Sequence, residues 1–248
     1  MSENKHGVKE FYDSDAESYD ERFDSDGGEH DNAVHQAILD EFLASLPANT
    51  RIAEFGCGTG RFTAQTVRRG YDSVATDLSR EMLDQTRRAT QRDGCETRLQ
   101  PIQADVTNLP YSTGSFDAGV MINVLSHLPE PEAAFEEIGR VLDEDGVFLF
   151  NYPRLYSLYF PAGLYVNYRE KSLYADVFTH WYTGREIERL LSLAGLSVVE
   201  RYGHVHTPSH MLPFGTHLMK WVDERSRRLP LRKLAPIEFL VVQKRTSQ

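Results

Sequence analysis

A glycine-rich stretch, EFGCGTG at residues 54–60, follows a short apolar run and carries three glycines in five positions. Glycines this dense cost backbone entropy, so a ligand or another chain segment must need the space that they leave. The spacing is G-x-G-x-G, with Arg61 where a dinucleotide-binding G-x-G-x-x-G motif would have its third glycine, and no P-loop G-K-[ST] follows. The spacing therefore disfavours both a dinucleotide pyrophosphate and a nucleoside triphosphate.

Three carboxylates stand at or beside the ends of predicted strands around this stretch. Asp77 ends the run DSVATD, and an acid at that place in a doubly wound sheet accepts hydrogen bonds from both ribose hydroxyls of a nucleotide. Asp105 ends the next run, where its carboxylate or a neighbouring backbone group can accept a hydrogen bond from the exocyclic amine of adenine. Glu54 can face an ammonium group directly or through water. Together these residues suit an adenosine that carries a positively charged amino-acid tail and no phosphate.

Histidines supply the candidates for a general base. His127, in NVLSHLPE after the fourth predicted strand, is the first candidate, and the competing interpretation is a helix-start histidine in the pocket wall. His180, next to Trp181 in an aromatic-rich segment, is the second candidate. The run GHVHTPSHMLPFGTH invites a metal interpretation, but no carboxylate or cysteine accompanies it at ligand spacing. We therefore predict no metal, and we interpret its histidines as residues of a lid over the acceptor: His204, His206, His210 and His217.

The elements that must position these side chains alternate between strand and helix through most of the chain. Apolar runs that predict strands end at residues 55, 77, 105, 125, 153, 203 and 245. Segments with helical periodicity lie between most of them, with Ser79 and the pair Thr183 and Glu186 as predicted helix caps. This alternation predicts an α/β fold with a doubly wound, mostly parallel seven-stranded sheet and ligands at the carboxyl ends of its strands. Pro101 predicts that the third strand lies at an edge.

This pattern divides the chain into three parts. Residues 1–48 are predicted as an N-terminal arm and a cap helix, and residues 49–150 as a cofactor-binding core. Residues 151–248 are predicted as an aromatic-rich substrate or lid segment together with the final strands of the same domain. The length of the insertions in this last part favours lids or binding loops over plain connections.

Residues 13–31 contain many acids and invite a calcium-site interpretation. Alignment of Gly27 with the glycine of an EF-hand loop places Arg22 at the first ligand position and Ala33 at the last, so the calcium interpretation fails. We expect this segment to be a solvated, partly mobile arm, with Tyr12 and Tyr19 packed inward.

The composition limits the partners. The 248-residue chain has 27 Lys and Arg against 37 Asp and Glu, a formal net charge of −10 that disfavours nucleic acid and anionic membranes as partners. No stretch approaches the ~18 apolar residues of a membrane span, and the first residues lack a signal-peptide core. We therefore expect no stable membrane insertion and a cytoplasmic location. Cys57 lies inside the glycine stretch, so we predict that it and Cys95 are unpaired.

Taken together, these residues make the sequence resemble the class I S-adenosylmethionine-dependent methyltransferases, of the small-molecule type found among ubiquinone and menaquinone methyltransferase relatives. The resemblance covers about residues 50–150 and extends to both ends. FYDSDAESYDERF is similar to the Y-D-x-x-A-x-x-Y-D opening of many members, and YTGREIERLLSLAGLSVVE to their penultimate helix and strand. The resemblance implies a Rossmann-like methyltransferase fold with an aromatic-rich lid or insertion, and S-adenosyl-L-methionine as cofactor.

The resemblance also implies where the cofactor binds. Residues that match Glu54 and the three glycines enclose the methionine part in this family, and the acid that matches Asp77 holds the ribose. Ala104 and Asp105 flank the adenine, and the tyrosine that matches Tyr19 reaches the cofactor carboxylate. The complete set of cofactor-binding residues that we predict is Tyr19, Glu54, Gly56, Cys57, Gly58, Gly60, Asp77, Leu78, Ala104, Asp105, Val106, Asn123 and Val124.

The implied activity is in-line transfer of a methyl group from the cofactor sulfonium to an acceptor that the protein aligns and, where necessary, deprotonates. INVLSH stands where enzymes that methylate bases carry an Asn/Asp-Pro-Pro-aromatic motif, which favours a small organic acceptor. The tyrosines of residues 151–182 suit an apolar or aromatic acceptor, and equally suit packing of a lid or of a homodimer partner. A cofactor-binding protein of the same fold with other chemistry or a regulatory role is the alternative, and the glycine spacing disfavours an NAD-dependent oxidoreductase.

Overall fold

A seven-stranded sheet is the centre of the fold. A computed structural model describes residues 2–173, 175–204 and 235–244 of the chain. The strands are β1 (Ile52–Phe55), β2 (Ser73–Asp77), β3 (Leu99–Gln103), β4 (Phe116–Met121), β5 (Leu142–Pro153), β6 (Leu196–His204) and β7 (Ile237–Lys244). Their order across the sheet is β3-β2-β1-β4-β5-β7-β6. β7 runs antiparallel to β5 and β6, and the other pairings are parallel, so the predicted α/β fold with a mostly parallel sheet is confirmed.

Helices cover both faces of this sheet. Within the described residues they are α1 (Glu3–Asp15), α2 (Asp26–Ser45), α3 (Arg61–Arg68), α4 (Arg80–Arg92), α5 (Pro131–Val141), α6 (Phe160–Arg169) and α7 (Gly184–Leu193). Along β5, Phe148 and Phe150 pack into the core formed with α5 and α7, whereas Leu149 between them packs into the core under α2. This alternation follows from the two-residue period of a strand, and it makes the sheet doubly wound.

Local signals in the sequence place the edges of several elements correctly. Pro101 lies on β3, the strand at one edge of the sheet, where a missing backbone N–H leaves no gap in the ladder. Ser79 caps α4 by accepting a hydrogen bond from the Met82 backbone N–H. Thr183 and Glu186 form the predicted capping box at the start of α7.

The N-terminal segment, predicted as a solvated, partly mobile arm, is helical over most of its length. α1, a short 3₁₀ helix (Tyr19–Phe23) and α2 follow each other closely, and α2 begins at Asp26, capped by Ser25. Two of the acids that suggested a solvated segment form ion pairs: Asp13 pairs with Lys9, and Asp15 with Arg22. The paired charges permit an ordered helical segment. Tyr12 and Tyr19 are packed inward as expected.

Two strand boundaries also differ from the sequence pattern. β4 ends at Met121, not at residue 125, because the chain turns into a left-handed conformation at Asn123, whose φ is 61°. β5 begins at Leu142, so it includes the polar residues 143–146 ahead of the apolar run that ends at residue 153, and its pairing with β4 shifts in register between Phe116 and Ala118.

The aromatic-rich segment after β5 is split between core and surface. Tyr152 and Tyr182 are buried, while Tyr156, Tyr165 and Tyr168 on or near α6 are exposed. Tyr174 and residues 205–234 of the predicted insertion 204–234, with His206, His210 and His217, lie outside the described residues. Cys57 and Cys95 are unpaired as predicted. In the part of the chain that the structure describes, no helix is long and apolar enough to cross a membrane. Among the same residues, no group of three or more His, Cys, Asp or Glu side chains is placed to hold a metal ion.

Candidate functional site

A cleft lies at the carboxyl ends of β1, β2, β3 and β4 and has a volume of about 1050 Å³, its open mouth included. The strand order switches direction beside β1, since β2 and β3 lie on one side of it and β4 and β5 on the other. Open α/β sheets bind ligands at such a topological switch point. Glu54, Gly60 and His180 are outside the lining. The predicted site residues that do line the cleft are Tyr19, Gly56, Cys57, Gly58, Asp77, Leu78, Ala104, Asp105, Val106, Asn123, Val124 and His127.

The glycine stretch forms the turn from β1 into α3. Its three glycines have φ values between 56° and 85°, a backbone region that residues with a side chain rarely adopt. A Cβ at Gly56 would overlap the methyl groups of Val124, and a Cβ at Gly60 would lie 2.7 Å from the Thr86 Cα. Gly58 has no atom within 4 Å of its Cβ position and lines the cleft. Packing therefore requires Gly56 and Gly60, while Gly58 leaves space for a ligand.

Asp77 is fixed in place by two backbone amides. Its Oδ2 accepts a hydrogen bond of 2.9 Å from Gly58 N–H, and its Oδ1 accepts one of 2.9 Å from Ser79 N–H. Each oxygen keeps a further lone pair that can accept a hydrogen bond from a ligand. Burial raises the pKa of this carboxyl group, and the hydrogen bonds from the backbone oppose that shift. The end of β2 thus presents an oriented acceptor beside the glycine turn.

Asp105 is held by donors of its own chain. Its Oδ1 accepts hydrogen bonds from Thr107 N–H and Oγ1–H, at 2.9 and 2.8 Å, and its Oδ2 lies 2.9 Å from Lys5 Nζ. The same ammonium group lies 2.7 Å from Glu130 Oε2 and donates to Thr107 Oγ1. Although burial opposes the shift, the Lys5 and Thr107 hydrogen bonds lower the pKa of Asp105. The adenine end of the predicted site is therefore closed by a lysine that the sequence analysis did not select.

Glu54 lies beneath the cleft. Its side chain is 4% exposed, and its Oε2 accepts a 2.5 Å hydrogen bond from Thr63 Oγ1–H at the start of α3. Burial raises the pKa of Glu54 to about 8, with the Thr63 hydrogen bond acting in the opposite direction. At neutral pH the carboxyl group is therefore mainly protonated, and a cation bound above it would favour the ionised form.

The wall over the cleft comes from α1. Lys5, Val8, Lys9 and Tyr12 line the cleft from one face of this helix, at the spacing i, i+3, i+4, i+7. The Tyr12 ring lies 6.1 Å from that of Tyr19, which the 3₁₀ helix supplies. This helix was not predicted, because two of its four inward positions are lysines, although the helical spacing of the four residues indicates a common face.

Arg61 is a second residue that the sequence analysis did not select. It lines the cleft at the first position of α3, with its guanidinium carbon 3.5 Å from the Phe23 ring centroid and its Nη1 2.6 Å from Asn32 Oδ1. Burial lowers the pKa of the guanidinium group. Its position in place of the third glycine of a dinucleotide motif was the signal that could have found it.

His127 lines the cleft at the end of the 3₁₀ helix Leu125–His127. Its Nδ1 lies 2.9 Å from the Phe178 carbonyl oxygen, and because a carbonyl only accepts, Nδ1 carries the proton. In the neutral ring Nε2 is then unprotonated and can act as a base. Burial lowers the pKa of His127, which favours this neutral form. The Tyr12 ring packs edge-on against the imidazole at a centroid distance of 5.7 Å.

The other described histidines singled out by the sequence have different surroundings. His180 lies outside the cleft lining, with its Nε2 3.1 Å from Glu186 Oε1 and its ring 4.6 Å from that of Tyr182. His204 is fully buried at the end of β6, and its Nε2 lies 2.8 Å from Asp31 Oδ1 on α2. Neither side chain reaches the cleft that the carboxylates surround.

Part of this chain is similar in sequence to known methyltransferases. Residues 53–150 match the family model described as a methyltransferase domain. The demethylmenaquinone methyltransferase of Clavibacter sepedonicus is 35% identical over 99 residues, which cover 40% of this chain and 39% of that protein. The tRNA (carboxymethyluridine(34)-5-O)-methyltransferase alkbh8 of Xenopus tropicalis is 30% identical over 111 residues, covering 44% of this chain and 16% of that protein. The chain spans about half or less of the length of the curated relatives it matches.

The fold is shared with solved structures. An S-adenosylmethionine-dependent methyltransferase from Thermotoga maritima superposes with a TM-score of 0.66 at 17% identity, covering 96% of this chain and 100% of that one. This likeness establishes the fold and includes the sheet that carries the cleft.

Proposed function

Because this chain belongs to the class I S-adenosylmethionine-dependent methyltransferases, we propose that it transfers the methyl group of S-adenosylmethionine to a small organic acceptor. The observation that carries this proposal is the orientation of Asp77 by the backbone amides of Gly58 and Ser79. That carboxylate is held at the end of β2, beside a glycine turn with open space, where an acid can accept hydrogen bonds from the hydroxyls of a ribose.

The residues present fit each part of the cofactor. Asp77 would accept the ribose hydroxyls, and Ala104, Asp105 and Val106 would flank the adenine. Glu54, buried and mainly protonated beneath the glycine turn, would ionise beside the ammonium group. The carboxylate of the amino-acid tail would lie near Tyr19 and the guanidinium of Arg61.

When bound, S-adenosylmethionine supplies a methyl group on a cationic sulfur. The chain's own residues would exclude water and align the acceptor, since α1 covers the cleft with Val8 and Tyr12. His127 would take the proton from an acceptor hydroxyl or amine, because its Nδ1–H is committed to Phe178 and its Nε2 carries the free lone pair. Its lowered pKa keeps that lone pair available at neutral pH.

The acceptor class is part of the proposal. The formal charge of −10 disfavours a polyanion such as tRNA, and INVLSH after β4 differs from the motif of base-methylating enzymes. The exposed tyrosines Tyr156, Tyr165 and Tyr168 offer an aromatic surface beyond β5 that suits an apolar acceptor. Three expectations from the sequence stay predictions: a narrower likeness to quinone-methylating enzymes, a cytoplasmic location and a homodimer.

Two experiments test this function. Calorimetry with S-adenosylmethionine, S-adenosylhomocysteine and NAD should give binding of the first two and none of the third. Tight binding of NAD alone would contradict the proposal.

The second experiment identifies the acceptor. Incubation of the protein and methyl-labelled cofactor, in parallel with a small-metabolite extract and with total tRNA, should label a small molecule. Label in tRNA would overturn the acceptor class, and cofactor binding without any labelled product would favour a regulatory protein of the same fold.

A further inference from the structure

Asn123 forms part of the cleft wall in a conformation that needs support. It stands two residues after β4 and has a φ of 61°, in the left-handed region where a residue with a side chain is strained. Asparagine tolerates this region better than most residues, but the conformation persists only where the surroundings hold it.

Asn151 on β5 supplies that support from outside the cleft. Its Oδ1 accepts a 2.6 Å hydrogen bond from the Asn123 backbone N–H, and its Nδ2 donates a 2.8 Å hydrogen bond to the Asn123 Oδ1. The side chain of Asn151 is 2% exposed and is not part of the cleft lining. One buried carboxamide thus holds both the main chain and the side chain of the strained residue.

A second contact completes the arrangement around Asn123. Its Nδ2 lies 3.4 Å from Nδ1 of His35 on α2, and because an amide nitrogen only donates, the His35 nitrogen accepts. Both polar atoms of the Asn123 side chain therefore have protein partners. The residue contributes to the cleft through the course of its main chain more than through its carboxamide.

The course of that main chain determines where Val124 lies. Val124 packs so closely on the glycine turn that a Cβ at Gly56 would overlap its methyl groups. A relaxation of Asn123 toward negative φ would move Val124 and change the wall of the cleft beside Gly56 and Gly58. We propose that Asn151 is a positioning residue: it holds Asn123 in the left-handed conformation that seats Val124 against the glycine turn and so shapes the cofactor cleft. The inference rests on the proposed function only where its test uses the cofactor.

The first test is cofactor binding by Asn151→Ala. We expect the Kd for S-adenosylhomocysteine and the KM for S-adenosylmethionine to rise at least fivefold, with a smaller change in kcat. The second substitution Asn123→Gly should restore most of the lost affinity, because glycine adopts positive φ without support. If Asn151→Ala does not fold, Asn151→Asp preserves the shape and the Oδ1 acceptor and enters the same pair of measurements.

Asn167→Ala is the matched control. The Asn167 carboxamide also makes two hydrogen bonds to one residue, accepting from the Trp181 N–H at 2.7 Å and donating to the Trp181 carbonyl at 2.8 Å, away from the cleft. It should lower Tm as Asn151→Ala does while leaving the Kd for S-adenosylhomocysteine within twofold of wild type. An equal loss of affinity in both variants would mean that general destabilisation, and not positioning, is the cause.

A ligand-free measurement separates this inference from the proposed function. Asn123→Gly should lower the Tm of the wild-type chain, since it removes the side-chain hydrogen bonds to Asn151 and His35, and raise the Tm of the Asn151→Ala chain, where strain relief outweighs loss of the 3.4 Å contact with His35. The same sign in both backgrounds overturns the positioning role, as does wild-type affinity in Asn151→Ala. A wild-type chain that binds neither S-adenosylmethionine nor S-adenosylhomocysteine contradicts the proposed function, and the Tm signs then decide the positioning role alone.

Discussion

Lys5 Nζ lies 2.9 Å from Asp105 Oδ2, which joins the first turn of the first helix to the loop after the third strand of the sheet. The two residues are 100 positions apart in the sequence. The Lys5 side chain is only 9% exposed, and it also pairs with Glu130 just before α5. This lysine ties α1 across the cleft, at the end where we expect the adenine.

We predict that Lys5→Met loosens α1 over the cleft. The substitution keeps the length of the side chain but removes its ammonium group, so dissociation of S-adenosylhomocysteine should accelerate several-fold, the equivalent of about 1 kcal/mol for a partly exposed ion pair. Stopped-flow displacement measures this rate, and hydrogen exchange of residues 3–15 in the ligand-free protein measures the loosening directly. Lys171→Met, which removes a charge from the exposed pair with Asp176, is the control. Unchanged exchange in α1 would argue against a tie.

Asp77→Ala should weaken cofactor binding at least ~10-fold, because charge-assisted hydrogen bonds contribute roughly 1.5–3 kcal/mol each. Titration calorimetry with S-adenosylhomocysteine measures the loss. Asp72→Ala is the control, since Asp72 just before β2 is exposed and pairs with Arg98 away from the cleft. An unchanged Kd in Asp77→Ala would mean that the ribose lies elsewhere.

Glu54 should make cofactor binding depend on pH. Its pKa is raised to about 8 by burial, and a cationic ligand favours the ionised form, so binding releases a proton below pH 8. The Kd for S-adenosylmethionine should therefore fall as pH rises toward 8 and level off above it. Calorimetry at pH 7 in buffers of different ionisation enthalpy should detect the released proton.

Glu54→Gln should remove both the pH dependence of the Kd and the release of a proton on binding, while it keeps an acceptor for the Thr63 hydroxyl. The same raised pKa also affects folding, because the folded chain holds the Glu54 proton more tightly than the unfolded chain, in which the pKa of the carboxyl group is near 4.5. The stabilisation of the folded state by this proton is therefore complete below pH 4.5 and is lost as pH rises through 8. Glu54→Gln should consequently be more stable than wild type at pH 9 in denaturant titrations. Equal pH dependence in both proteins would assign the proton to another group.

His127→Ala should reduce kcat by about 10²-fold or more, the usual contribution of a general base, with the Kd for the cofactor nearly intact. The pKa of His127 is lowered by burial, so in wild type the rate should fall only below the ordinary histidine range as pH decreases. His180→Ala provides the comparison, because His180 lies outside the cleft lining and should retain turnover. Wild-type turnover in His127→Ala would remove this histidine as the base.

The parts of the site that the sequence predicted depend on short-range chemistry. Asp77 and Asp105 follow strands whose apolar runs are evident, and parallel strands bring their carboxyl ends to one edge. The glycine stretch needs positive φ within a single turn, which is again a local demand. Ser79 and the Thr183–Glu186 box cap helices within three residues.

The parts that the sequence did not predict depend on segments that are distant in the chain. Lys5, Arg61 and Asn151 gain their roles from partners in other elements, and α1 lies over a cleft formed by strands that are distant in the chain. Glu54 was expected in the cleft but lies beneath it with Thr63.

The sequence by itself determined the alternation of strands and helices, the sheet that follows from it, and the acids at the strand ends, because periodicity and turn chemistry act over a few residues. Only the tertiary structure decided which helix covers the cleft, which nitrogen of His127 is free, and what holds Asn123 in its strained conformation. Burial, protonation and hydrogen-bond partners are set by residues that meet through folding, and no local pattern specifies them.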